Sequence, residues 1–188
     1  MQIIESSILR IAIDEKRARL VNLISQNNQI DYFKDGDLQR NLIVNFTGEN
    51  QNENLAKILP WTIVDKGDSR ISLALIDDNS SYKKFPYHFE VILTYAVEGN
   101  RVDIKYYLKN NSYKTMPFSL SLAVDIPDGW AKEEKVNEVI LSKNAVKLQC
   151  ISSSLALAVK NNQIVAAMKQ AELEKDHGEE FGLSLLLT

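Results

Sequence analysis

FPYHFEVILTYAVEGNRVDIKYYLKNNSYKTMPFSLSLAV, residues 85–124, decides the fold. From Phe89 the residues Phe89, Val91, Leu93, Tyr95 and Val97 alternate with Glu90, Ile92, Thr94 and Ala96, the period of two that a strand with one core-facing side requires. A turn at Glu98-Gly99-Asn100-Arg101 follows, where Gly and Asn tolerate positive φ. Alternation resumes with Val102, Ile104, Tyr106 and Leu108 opposite Asp103, Lys105, Tyr107 and Lys109, so the two runs form a hairpin. A second turn, Asn110-Asn111-Ser112-Tyr113-Lys114, leads into Met116-Pro117-Phe118 and the run Leu120, Leu122 and Val124. The three runs read as an antiparallel meander, with Pro117 at a strand start, where its missing N–H removes no ladder bond.

Outward from this stretch the same grammar repeats. Short alternating runs at 3–5, 9–13, 20–25, 42–46, 61–65, 71–75, 145–151, 155–159, 164–168 and 181–187 read as strands. Breaks fall at 27–28, 34–37, 48–50, 66–68, 77–80, 127–129 and 161–162, all rich in Asn, Asp, Gly and Ser. So many short strands predict an all-β sandwich or barrel. The expected helices are few, at 132–139 and 166–175, the second overlapping a strand pattern. A chain of 188 residues supports one domain with a sizeable core, so residues 1–188 are expected to form a single β-sandwich domain.

Charge and composition exclude several functions. The formal net charge is −3, with lysines and arginines spread along the chain, which offers no basic stripe for a phosphate backbone; nucleic acid is not an expected partner. The amino terminus carries Glu5 and Arg10 within a short alternation, unlike a signal peptide. No apolar run approaches the roughly 20 residues a helix needs to cross a bilayer, so no membrane partner and a cytoplasmic location are expected. The single cysteine, Cys150, lies between apolar neighbours and reads as a buried small hydrophobe. Two histidines and one cysteine supply no metal-ligand set, and the dispersed glycines form no phosphate loop, so neither metal nor cofactor is expected. His177, in Glu174-Lys175-Asp176-His177-Gly178-Glu179-Glu180, reads as part of a solvated turn.

Phe85-Pro86-Tyr87, then Phe89, Leu93, Tyr95 and Val97, then Asn110 and Met116-Pro117-Phe118-Ser119, resemble the central signature of the aldose 1-epimerases, the galactose mutarotase-like family. The ending Gly178-Glu179-Glu180-Phe181-Gly182-Leu183-Ser184-Leu185 is similar to that family's last strand, and residues 11–23 to its first hairpin. The resemblance implies a galactose mutarotase-like β-supersandwich of twisted antiparallel sheets, reduced in size, with a cleft for a sugar. It also implies a mechanism in which a glutamate takes the anomeric hydroxyl proton while a histidine protonates the ring oxygen, opening the ring.

Here the chain departs from the family. The family's H-G-F-A-R, set ahead of a tryptophan, falls on Glu53-Asn54-Leu55-Ala56-Lys57 ahead of Trp61, leaving Ala56, the basic charge of Lys57 and Trp61. After M-P-F-S the family continues G-x-H-P-Y, where this chain has Ser121-Leu122-Ala123-Val124-Asp125. The family's E-P glutamate falls near Val165-Ala166-Ala167-Met168-Lys169-Gln170, with Glu172 and Glu174 as the nearest carboxylates. Both histidines are replaced, and loss of two proton-transfer partners removes factors on the order of 10²–10⁴ each.

Three functions follow as alternatives. The first is a carbohydrate-binding protein for a monosaccharide or oligosaccharide that has lost epimerase catalysis. Trp61, Tyr87 and Tyr107 are its candidate stacking platforms, and Lys57, Asp125, Glu53 and His88 its polar contacts. Each aromatic taken alone is as well explained by core packing. The second is an active isomerase of the same type with relocated acid and base, for which Glu53 and His88 are the candidates. The third is a structural protein whose broad sheet face pairs with a second copy as a homodimer.

Overall fold

The computed structural model describes residues 1–35, 38–39, 41–48 and 53–188. Strands are numbered in chain order. The first sheet has seven strands: β1 (Gln2–Glu5), β2 (Leu9–Asp14), β3 (Arg19–Ser25), β6 (Leu42–Thr47), β11 (Met116–Asp125), β16 (Gln163–Leu173) and β15 (Ala156–Lys160), neighbours in that order. The second has eight: β12 (Ala131–Lys135), β13 (Glu138–Lys143), β14 (Val146–Ile151), β17 (Gly178–Leu187), β10 (Arg101–Asn110), β9 (Phe89–Glu98), β8 (Arg70–Ile76) and β7 (Thr62–Lys66). A small hairpin, β4 (Lys34–Asp35) and β5 (Leu38–Gln39), and two short helices, α1 (Leu55–Ile58) and α2 (Asn79–Lys84), complete the described elements. Every predicted strand has its counterpart. The expected breaks at 36–37 and 49–50 lie outside the described residues.

The two sheets face each other across one apolar layer. Core-facing positions of β9, β10 and β11 alternate as the pattern predicts, burying Phe89, Val91, Leu93, Tyr95, Val102, Ile104, Tyr106, Leu108, Phe118, Leu120 and Leu122. Each such side chain contributes about 1.5–3 kcal/mol relative to exposure. Aromatic pairs bridge the layer: Phe46 of β6 packs edge-on against Phe89 of β9 at 5.1 Å, and Phe118 of β11 lies tilted against Phe181 of β17 at 5.9 Å. The Tyr95 hydroxyl donates to the Ala18 carbonyl at 2.6 Å, fixing the second sheet to the β2–β3 turn of the first. Cys150 is fully buried, and burial pushes its thiol up to about 12.

Three expectations need correction. The run 85–124 is not a meander: β9 and β10 pair as predicted, but β11 leaves for the other sheet, between β6 and β16. The free edge of β10 is occupied by β17, so β11 has no place beside it. The crossing is fixed by Asn110, completely buried. Its Nδ2 donates to the carbonyls of Lys114, Leu173 and Glu174 at 2.8, 2.9 and 3.2 Å, and its Oδ1 accepts from Ser112 N at 2.9 Å.

The predicted helix at 132–139 is the β12–β13 hairpin, turning at Asn137 with φ 58°. Its charges lie on an exposed edge strand, where they repel strand addition rather than mark a helix face. Residues 166–175 continue β16 to Leu173 because pairing with β11 runs to Met116, overriding the helical propensity of the alanines. The two helices present were missed. Asn54 caps α1, and Asp78 and Ser81 form a capping box on α2 where a simple turn was expected.

Candidate functional site

The outer face of the first sheet holds the concave site. Along β6 the core takes Leu42, Val44 and Phe46, which turns Ile43, Asn45 and Thr47 outward; along β11 the same alternation turns out Ser119, Ser121, Ala123 and Asp125. Register aligns these into rows across the strands. Asn45 lies beside Ser121, Ser121 beside Ala167, and Ala167 beside Ala156. In the next row Ile43, Ala123, Val165 and Ala158 are neighbours, and beyond them Asp125, Gln163 and Lys160. Because the middle of the face carries Ala and Ser, its floor is low. The result is a trough of about 750 Å³ lined by Asn45, Thr47, Ser119, Ser121, Lys160 and Met168 over that floor of small residues.

A hydrogen-bonded line runs across this face. Asn54 Nδ2 donates to Asn45 Oδ1 and to the Val44 carbonyl, both at 2.9 Å, and Asn54 Oδ1 accepts from Phe46 N and Ala56 N at 3.0 Å. Asn45 Nδ2 in turn donates to Ser121 Oγ at 3.2 Å. Asn54 therefore holds α1 against β6 and orients Asn45 toward the trough.

Asn45 also borders a second cavity of about 370 Å³, lined by Arg17, Arg19, Asn54 and Lys57. Arg19 Nη2 donates to Asp14 Oδ2 at 2.9 Å. Burial raises the Asp14 carboxyl, but the Arg19 bond, a backbone N–H from Lys16 and the charges of Arg19 and Arg17 outweigh it and hold the group below its ordinary value.

The structure separates the sequence-derived candidates. Lys57 and Asp125 lie on this face: Lys57 in the second cavity, Asp125 at the end of the β11 row, where it accepts from Gln163 Nε2 at 2.7 Å and from Asn41 N at 3.2 Å. Trp61 is a core residue, 8% exposed, its Nε1 donating to the Ala56 carbonyl at 2.8 Å. Tyr107 faces outward from the second sheet and covers Gly178. Tyr87 packs on Phe85, with Lys114 Nζ 4.4 Å from its ring centre.

Glu53 pairs with Lys84 at 2.7 Å. His88 Nδ1 meets Asp77 Oδ2 at 2.8 Å, and its ring stacks on Tyr82 at 4.6 Å. Neither Glu53 nor His88 lines the trough, and no hydrogen bond joins them. The residues that sequence reasoning passed over are Asn45, Thr47, Ser119, Ser121, Arg17, Arg19 and Lys160. The outward half of the predicted strands at 42–46 and 120–124 was the signal that could have found Asn45 and Ser121, and each alternation extended by one residue reaches Thr47 and Ser119.

Among the described residues no group of three or more His, Cys, Asp and Glu could hold a metal ion, and no helix is long and apolar enough to cross a membrane. A family model described as aldose 1-epimerase matches residues 34–123. No curated protein sequence matches.

Among solved structures, a galactose mutarotase-like protein from Lactobacillus casei superposes with a TM-score of 0.80 at 15% identity, covering all of both chains. A galactose mutarotase related enzyme from Lactobacillus acidophilus gives 0.79 at 12% identity, over 100% of this chain and 97% of that one. A galactose mutarotase-like protein from Clostridium acetobutylicum gives 0.73 at 12% identity, over 99% and 94%. The two facing antiparallel sheets are thus a galactose mutarotase-like β-sandwich. Within that class, the likeness to the aldose 1-epimerase family model is confined to residues 34–123 of the 188.

Proposed function

We propose that this protein binds a carbohydrate in the trough on the outer face of the first sheet without accelerating its anomerisation. The observation that carries the reading is the composition of the trough. Asn45, Thr47, Ser119 and Ser121 offer neutral donors and acceptors that match sugar hydroxyls, and the alanines and Met168 offer an apolar floor for the C–H face of a ring. Ala123, where the resemblance places the family's acid, lies in the neighbouring row of the same face, and its methyl group can move no proton. The relocated pair Glu53 and His88 is not favoured, since each is engaged outside the trough with Lys84 or Asp77.

Ligand-observed NMR with glucose and galactose tests this directly. Saturation transfer from protein to sugar is expected, with magnetisation exchange between the α and β anomers at the spontaneous rate. Ser121→Leu fills the trough from an outward position and is expected to abolish the transfer while leaving the circular dichroism spectrum intact. Accelerated exchange at low protein concentration would overturn the loss of catalysis, and transfer that survives Ser121→Leu would overturn the placement of the site.

A further inference from the structure

We infer, building on the carbohydrate reading above, that the preferred sugar carries an oxyanion, a carboxylate or a phosphate, held by Arg17, Arg19 and Lys57 in the cavity beside the trough. The two cavities share Asn45, so one ligand can span them. Among the described residues the trough offers neutral hydrogen-bonding groups and one cation, Lys160, whereas the second cavity is lined by three cations and no carboxylate. Asp14 is the one acidic group bonded to this cluster among the described residues, and of the three cations it forms a salt bridge with Arg19 alone. The local balance is therefore three positive charges against one negative, in a chain whose formal net charge is −3.

The donors are also available. The exposed side chains of Arg17 and Lys57 make no salt bridge or hydrogen bond among the described residues. Arg19 spends one terminal nitrogen on Asp14, while its Nε is buried with no hydrogen-bond partner. A buried donor without a partner is costly, and an oxygen acceptor entering the cavity recovers that loss. Guanidinium groups present paired N–H donors that suit the two or three equivalent oxygens of a carboxylate or phosphate, and a nearby ammonium adds a point charge. The β2–β3 turn supplies Arg17, the start of β3 supplies Arg19 and α1 supplies Lys57, so the cluster is assembled by the fold from separate parts of the chain.

The test is a titration of the full chain with glucose, glucuronate, glucose 6-phosphate and inorganic phosphate, at low and at 0.5 M salt, for wild type, Arg17→Gln and Lys57→Gln. At low salt one or both anionic sugars are expected to bind about tenfold tighter than glucose, the scale of a charge-assisted hydrogen bond. That advantage should shrink in high salt and in each variant. Glucuronate against glucose 6-phosphate decides which oxyanion the cavity fits. Glucose binding that equals or exceeds both anionic sugars would overturn the inference and leave the carbohydrate reading standing. Inorganic phosphate binding as tightly as glucose 6-phosphate would show that the sugar ring adds nothing and would overturn it also. Absence of binding by every ligand would overturn both.

Discussion

Asn110 ties the end of β10 and the adjoining loop into β11 to the remote link from β16 to β17. Replacing it with Ala leaves the carbonyls of Lys114 and Leu173 and the N–H of Ser112 without this partner in an interior setting, and is expected to lower stability by about 3 kcal/mol. Urea denaturation measures this, and a loss under about 1 kcal/mol would refute the account. Single residues were the scale at which the sequence was least legible. Trp61 and Tyr107 are both aromatic and strand-adjacent, yet one closes the core and the other covers a glycine, a distinction set by facing strands rather than by neighbours in the chain. Ser119 and Ser121 were visible in the signature, but their role depends on Ala156, Ala158 and Ala167 lying beside them to make the floor low.

At the scale of elements, the hairpins were the most legible part. Asn161 and Asn162, read as a break, take φ of 49° and 59° between β15 and β16, as a two-residue turn of the I′ kind requires. What periodicity could not separate was a charged edge strand from a helix face, or an alanine-rich central strand from a helix, because in each case partner strands supply the deciding energy. Cross-strand packing also explains a glycine that no turn requires. A Cβ on Gly178 of β17 would lie 2.0 Å from Tyr107 Oη and 2.5 Å from its Cζ, so the ring of β10 lies where a side chain would be. Gly178→Ala is expected to destabilise by about 1–3 kcal/mol by displacing that ring. In a Tyr107→Ser background the same substitution should be close to neutral. A double-mutant cycle by thermal unfolding checks the pair, and additive effects would exclude this contact as the reason for the glycine.

For the molecule as a whole, the two sheets share one layer of apolar side chains, so they are expected to unfold together. The chain has two tryptophans in different settings: Trp61 in the core after α1, and Trp130 packed 6.1 Å from Tyr32. In Trp61→Phe and in Trp130→Phe, the remaining fluorophore and the far-ultraviolet circular dichroism should report one common midpoint in denaturant. Separate midpoints within either variant would divide the chain into two domains. The all-β class was legible from alternation alone, but the assignment of strands to sheets was not, since the pattern of β11 suits either sheet and only the occupied edges of β10 exclude one of them.

That crossing has a consequence for how the chain is made. β10 and β11 are consecutive, yet each waits for a distant partner: β11 for β16, and β10 for β17, which also seats β14. Neither sheet can be completed from a contiguous stretch of polypeptide, so loop-closure entropy must be met before most of the pairing rewards it, and folding belongs to the slow, nonlocal regime. On the ribosome, the eight-stranded sheet stays split into two halves until synthesis has passed Leu187. Through that interval the facing edges of β10 and β14 stay open, and they are the edges through which nascent chains are exposed to pairing with one another.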